Sequence, residues 1–163
     1  GARILGLGYP GGPEIEIEAK GGNPDKVDFP RSLLEKNSLE FSFSGLKTSL
    51  LYFMDGFQEK KSLLLKDVIA SYQKAIIDTL VEKVRRAIET TGINRCVIAG
   101  GVAANICLRE ELEQKLPEKE IIFPDLSYCT DNAAMISYLG ELKLKLNLYE
   151  PIGFSAIPNL KLS

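Results

Sequence analysis

Residues 95–105 read RCVIAGGVAAN, an apolar run followed by two glycines and several small residues. The apolar residues 97–99 are typical of a short strand that is buried on both faces. Gly100 and Gly101 permit a sharp turn in which a ligand can approach bare backbone. The stretch therefore predicts a strand, a glycine turn and a helix, which is the unit from which parallel α/β sheets are built.

A helix is expected beyond the two glycines, with Asn105 in its first turn. Small and apolar residues recur at helical spacing from Ala103 to Leu112, so the free N–H groups of the first turn would point at the glycine turn. Asn105 would project from that first turn, where open α/β sheets bind their ligands. An ordinary strand-to-helix turn without a ligand is the alternative, because a pair of glycines is a weak signal.

Elements downstream and upstream of this unit extend the α/β pattern. Residues 67–91 keep an apolar period of 3.6 and end at Gly92, which predicts a core helix. Residues 120–123 predict a second strand, and a helix capped by Thr130 or Asp131 should run to about Leu146. Alternating helices and strands favour parallel pairing, which would bring Asn105, Asp131 and the glycine turn within reach of one ligand.

The first fifty residues carry weaker patterns. Residues 1–8 resemble the tail of a helix that ends at glycines, and Pro13 should open a helix through residues 18–20, with a strand over 14–18 as the alternative. Residues 39–43 alternate as a half-buried strand would, and a break at 44–45 should precede a helix from Leu46 to Phe53. Lys47 is expected at the surface, with a phosphate-facing role as the alternative.

Composition excludes several kinds of chemistry. The 163 residues are 45% hydrophobic with a net charge of −2, which fits one globular domain and gives no global basic field for nucleic acid. The three cysteines match no disulfide framework, so a cytoplasmic protein with reduced thiols is expected, without a membrane span or signal peptide. Because no histidine is present, histidine-based acid–base, nucleophile and zinc chemistry is excluded for this chain.

Four segments together resemble one family. They are GLGYPGGP at 6–13, FSFSGLKT at 41–48, GGVAAN at 100–105 with the following Leu-Arg pair, and CTDNAAM at 129–135. In this order they resemble the tRNA threonylcarbamoyladenosine transferases, the TsaD family, over the carboxyl-terminal half of the family's usual length. The resemblance implies an α/β fold of the actin-like, sugar-kinase and Hsp70 ATPase (ASKHA) type. This chain would be its second lobe only, a ribonuclease-H-like sheet with flanking helices.

The resemblance also implies a domain plan and an activity. Residues 1–37 would be an irregular or helical entry segment, 38–150 the α/β core and 151–163 a tail. Members of the family transfer a threonylcarbamoyl group from threonylcarbamoyl-AMP to the adenosine next to the anticodon, in tRNAs that read ANN codons. Gly12 and Asn105 resemble contacts to the adenylate. Gly100 and Gly101 form the candidate nucleotide-binding turn that precedes Asn105.

Asp131 resembles a ligand for a divalent metal, either iron, zinc or magnesium, in the full-length enzyme. In the family this aspartate works with two histidines of an HxxxH motif, which this chain lacks. The glycine-rich phosphate loop and a ribose-contacting aspartate upstream of the YPGG turn are also absent. The isolated chain is therefore expected to be inactive and to hold no cofactor by itself.

The expected partners follow from the same resemblance. They are tRNA, with Arg31 and Lys47 as candidate contacts, TsaB- and TsaE-like proteins if the source is bacterial, and the missing amino-terminal lobe. An uncovered lobe interface should also make the fragment self-associate. A non-catalytic module that binds an adenine nucleotide or a partner is the alternative function, and an upstream HxxxH-containing lobe in frame would favour the enzyme. A sugar or acetate kinase relative fits the four motifs less well.

Overall fold

The computed structural model describes residues 1–32, 38–57 and 62–149, together with Gly153 and Ser155. Within these residues the helices are α1 (Gly11–Glu18), α2 (Ser44–Asp55), α3 (Leu65–Thr91), α4 (Ile106–Lys115) and α5 (Ala133–Lys145). The strands are β1 (Arg95–Val97) and β2 (Glu120–Ile122). The chain divides into two compact units, Gly1–Cys129 and Thr130–Ser163. The predicted boundaries at 37 and 150, and nearly all of the 151–163 tail, lie outside the described residues, so that domain plan stays a prediction.

Helix α3 is the longest element and organises the core of the first unit. It spans 27 residues and ends at Gly92, whose φ of 69° lies in the left-handed region that glycine adopts without strain. Its amino-terminal half packs with Phe29, Leu46 and Leu50 in one apolar cluster. Its carboxyl-terminal half packs with Leu108 and Leu112 of α4 in a second cluster. The prediction of a core helix is confirmed, and the helix begins two residues earlier than expected.

The two strands form a parallel pair in which Cys96 lies opposite Ile121. This confirms the predicted parallel pairing, and the fold is α/β. Cys96 and Ile121 face the α3–α4 cluster, whereas Val97 is 63% exposed and Ile122 is 38% exposed on the other face. The prediction of a strand buried on both faces is therefore wrong for the described residues of the first unit, where α3 and α4 pack against one face of the sheet.

The amino-terminal patterns are partly confirmed. A helical turn closes with hydrogen bonds from Leu5 N to Gly1 O at 3.1 Å and from Leu7 N to Ala2 O at 2.9 Å, around Gly6. Residues 14–18 lie in α1 and are not a strand. None of the helices in the described part of the chain has the length and apolar character needed to cross a membrane.

Residues 39–43 do not form the predicted strand. A strand needs a neighbouring chain to receive its backbone hydrogen bonds, and none of the described segments pairs with this one. The predicted break at 44–45 is also wrong, because these residues form the first turn of α2. Lys47 N donates to Phe43 O at 2.9 Å and Thr48 Oγ1 donates to Ser44 O at 3.0 Å, so the helix starts at Ser44.

The second unit contains α5, which begins one residue after Asn132. The side chain of Asn132 accepts a hydrogen bond from Met135 N at 3.0 Å and so caps the helix. The expectation that Thr130 or Asp131 provides the cap is wrong, because both residues precede the capping position. No residue of α5 is buried.

Candidate active site

The start of α1 presents bare backbone. Pro10 is the capping residue and contributes no side-chain hydrogen bond to the first N–H groups of the helix. A Cβ added to Gly12 would meet nothing within 4 Å. Gly12 lines a surface cavity of about 670 Å³ together with Tyr9 and Tyr72. A ligand can therefore reach the backbone at Gly12.

The glycine turn after β1 requires glycine for its backbone conformation. Gly100 has φ 90° and ψ 173°, and a Cβ there would meet nothing within 4 Å, so strain and not space selects glycine. Residues Gly101–Ala104 then form a 3₁₀ turn before α4 begins at Ile106. The predicted helix beyond the glycines is confirmed, but a 3₁₀ turn precedes it and the α-helix begins only at Ile106.

Asn105 stands before α4 and not within its first turn, as was predicted. Its backbone is extended, with φ −67° and ψ 121°, and its Oδ1 accepts a hydrogen bond from Leu108 N at 2.9 Å. Asparagine is a preferred residue at this position because its side chain replaces a missing backbone acceptor. Capping therefore fixes where α4 starts and orients the amide.

The amide of Asn105 also contacts α3. Its Nδ2 donates to Gln73 Oε1 at 3.4 Å, and Gln73 Nε2 donates to Cys107 Sγ at 3.4 Å. Burial, followed by the charge of nearby Glu16, raises the pKa of Cys107, so this group stays a neutral thiol. Sequence reasoning missed Gln73, although its position four residues after Ile69 on the buried stripe of α3 was a usable signal.

Glu16 connects α1 to α4. Its Oε1 accepts a hydrogen bond from Ile106 N at 2.8 Å, so a carboxylate satisfies one of the free N–H groups at the start of α4. Glu16 lies one helical turn after Gly12. The structure therefore joins the helix that carries Gly12 to the cap at Asn105. Sequence analysis did not single out Glu16, because the contact spans 90 residues of chain.

Arg109 holds the ends of the two strands together. Its Nε donates to Ala103 O at 2.7 Å, and its Nη2 donates to Pro124 O at 2.8 Å. The guanidinium also lies 4.7 Å from the centre of the Phe123 ring. This side chain therefore links the turn after β1 to the segment after β2, which leads to Cys129.

Arg31 lies in a cluster of ion pairs on α3. Its guanidinium contacts Asp78 at 2.9 Å and Asp28 at 2.8 Å, and Lys74 and Lys115 also approach Asp78. Burial opposes ionisation of Asp78, but the hydrogen bond from Arg31 and the nearby lysines outweigh it and lower the pKa of Asp78.

Lys47 lies on the exposed face of α2. This agrees with the prediction of a surface lysine. It does not test the alternative, in which Lys47 faces a phosphate. The roles of Arg31 and Lys47 as tRNA contacts stay predictions.

Asp131 is exposed and belongs to the second unit, so its expected proximity to Asn105 stays a prediction. Residues 1–32, 38–57 and 62–149 contain no group of three His, Cys, Asp or Glu side chains that could hold a metal ion.

A glycine turn, a capped helix and an accessible helix start beside a cavity define an α/β protein with a candidate ligand site. The family model for TsaD, tRNA N6-adenosine threonylcarbamoyltransferase, matches residues 1–138. This chain belongs to that family.

Curated proteins named tRNA N6-adenosine threonylcarbamoyltransferase are similar to nearly the whole chain. One from Kosmotoga olearia is 50% identical over 99% of this chain and 48% of its own length. One from Thermosipho africanus is 46% identical over 99% of this chain and 49% of its length. One from Thermotoga neapolitana is 45% identical over 98% of this chain and 48% of its length. The chain thus spans about half the length of the curated relatives it matches, and it corresponds to their carboxyl-terminal half.

Proposed function

We propose that this chain supplies the carboxyl-terminal half of an enzyme that transfers a threonylcarbamoyl group to tRNA. The donor is threonylcarbamoyl-AMP, and the acceptor is the exocyclic amine of the adenosine next to the anticodon in tRNAs that read ANN codons. The observation that carries the proposal is the 2.8 Å hydrogen bond between Glu16 and Ile106 N. It connects α1, which carries Gly12, to the start of α4, where Asn105 caps the helix; Gly12 and Asn105 are the two residues that resemble adenylate contacts.

In this proposal the chain positions the adenylate. The bare backbone at Gly12 allows close approach of the nucleotide, and Asn105 offers its amide from a fixed helix start. The acceptor amine attacks the carbamoyl carbon, the bond from that carbon to the phosphate oxygen breaks, AMP leaves and the amine loses a proton. Holding donor and acceptor in one orientation is the main contribution that such groups make to a transfer reaction.

The isolated chain should be inactive. The described residues hold no set of metal ligands, and the resemblance assigns the phosphate loop and two metal-binding histidines to the half that is not part of this sequence. A divalent metal and the adenylate would bind only when the two halves are together. Partner proteins would supply the adenylate.

Several finer expectations belong to the same proposal. The complete protein would have the two-lobed ASKHA fold, with this chain as its second lobe. It would work in the cytoplasm on tRNA, with Arg31 and Lys47 among the candidate contacts, Asp131 as a metal ligand and TsaB- and TsaE-like proteins as partners. The fragment by itself would self-associate through surfaces that the other half covers, which sedimentation at several concentrations can measure.

The test is reconstitution from two halves. The amino-terminal half of the Kosmotoga olearia relative, this chain, and both together would each be incubated with tRNA, ATP, threonine, bicarbonate and the adenylate-forming partner proteins. Mass spectrometry of the digested tRNA would measure the modified adenosine. We expect product only when both halves are present, with the intact relative as the positive control.

Two variants make the assay specific. Asn105→Ala should lower the yield of modified adenosine strongly, whereas Asn94→Ala, the same change at an exposed position, should leave it near the unchanged level. Product from this chain alone would contradict the inactivity of the isolated chain. Reconstitution in which Asn105→Ala and Asn94→Ala behave alike would contradict the role given to Asn105.

A further inference from the structure

Gln73 is one of the buried polar side chains of α3. It is 8% exposed, and it lies on α3 between Ile69 and Ile77, which belong to the two apolar clusters. Burying an amide without hydrogen-bond partners costs free energy, so the polar atoms of a buried Gln side chain are expected to be hydrogen-bonded. Among the described residues it accepts a hydrogen bond from Asn105 and donates one to Cys107.

These contacts fix which way the amide of Asn105 points. Oδ1 is directed at the start of α4 because it accepts from Leu108 N at 2.9 Å. One N–H of Nδ2 is directed at Gln73 Oε1. An asparagine amide has two N–H donors, and in the described part of the chain Gln73 accepts one of them, which leaves the second N–H for a ligand. If the Asn105 amide were flipped, its Nδ2 would face Leu108 N. Two donors would then meet, and the capping hydrogen bond would be lost.

We propose that Gln73 is a positioning residue that holds Asn105 so that it offers an N–H donor to the adenylate. Asn105 would then bind an acceptor atom of the nucleotide, such as a ring nitrogen of adenine, and not its exocyclic amine. The assignment of Asn105 to the adenylate rests on the proposed function. The contact between Gln73 and Asn105 does not.

Three variants separate the contacts of Gln73. Gln73→Met keeps the length of the side chain and removes both hydrogen bonds. Cys107→Ala removes the bond to the thiol and keeps the acceptor that faces Asn105. Gln114→Met makes the same chemical change at an exposed position on α4 and serves as the control.

The first readout is the side-chain amide signal of Asn105 in ¹⁵N NMR of the chain, assigned by its loss in Asn105→Ala. Gln73→Met should move this signal and raise its exchange with water by about tenfold, as expected when one hydrogen bond is lost. Cys107→Ala and Gln114→Met should leave it in place. An unchanged Asn105 signal in Gln73→Met, with the backbone spectrum intact, would overturn the positioning role.

The second readout is titration of the two reconstituted halves with AMP. Gln73→Met should weaken AMP binding by about tenfold, in keeping with one misplaced hydrogen bond, and Gln114→Met should not. Equal affinity in Gln73→Met would overturn the ligand part of the proposal. If the unsubstituted halves bind no AMP, the proposed function fails together with that ligand part, while the NMR result still decides the contact between Gln73 and Asn105.

Discussion

Replacing Leu112 with alanine should strongly destabilise the cluster that anchors α4, and with it the helix start at Asn105. Leu112 is fully buried and packs with Ile77, Val81 and Leu108. Removing three buried carbons costs about 2.4 kcal/mol at about 0.8 kcal/mol each. The cavity that remains adds to this, so we expect a loss of about 3 to 4 kcal/mol, inside the usual range of about 2–5 kcal/mol for such changes.

Guanidinium unfolding followed by circular dichroism measures this loss as a lower midpoint at an unchanged slope. For a chain of this size the loss corresponds to a fall in melting temperature of roughly 6 to 16 °C. Leu51→Ala is the matched control, because Leu51 is also helical but is 53% exposed, and it should change stability by less than about 0.5 kcal/mol. Similar midpoints for the two variants would refute the packing that places α4 on α3.

Three further changes test other contacts. Two arginines lower the pKa of Glu82 from 4.5 to about 2, so its stabilisation is complete above pH 4.5 and is lost as the pH falls towards 2. Glu82→Gln should therefore flatten the acid limb of a stability–pH profile by about 1–2 kcal/mol after solvent screening, and an unchanged limb would count against this. Gly22→Ala would place a Cβ 2.3 Å from Lys66 O. It should lower the free energy of unfolding by about 1–3 kcal/mol, which thermal unfolding measures. Gly140→Ala is the control, because its Cβ would meet nothing within 4 Å, and it should not destabilise the protein. Arg109→Lys removes the planar guanidinium that donates to two carbonyls and should lower the free energy of unfolding by about 2 kcal/mol. Backbone hydrogen exchange after β2 should become faster. Unchanged exchange there would argue against the link between the turn after β1 and the segment after β2.

Local patterns in the sequence predicted the elements that are determined by residues close together in the chain. Helix α3 has an apolar period and a terminal glycine, and both signals act within a few residues. The parallel pair of strands follows from the alternation of helices and strands. Residues 39–43 show the limit of this reasoning, because alternation indicates a strand only where a partner strand exists, and the described residues provide none.

Sequence analysis proposed residues for the candidate site, which stay predictions, but it did not predict the contacts among their neighbours. Asn105 was recognised as a polar residue at the glycine turn, but its own capping bond moves the helix start to Ile106. Thr130, Asp131 and Asn132 are all good capping residues, so sequence could not choose among them. Glu16 was missed because its partner is distant in sequence and its own surroundings look like an ordinary acidic helix face.

The hydrogen bond from Ile106 N to Glu16 also has a consequence for the order of folding. It closes a loop of 90 residues, and closing a long loop costs entropy that one hydrogen bond cannot repay. The bond can form only after the two apolar clusters have already brought α1 and α4 onto α3. The α1 and α4 parts of the candidate site should therefore meet late, and a chain stopped part-way through folding would have a formed core before the candidate site is assembled.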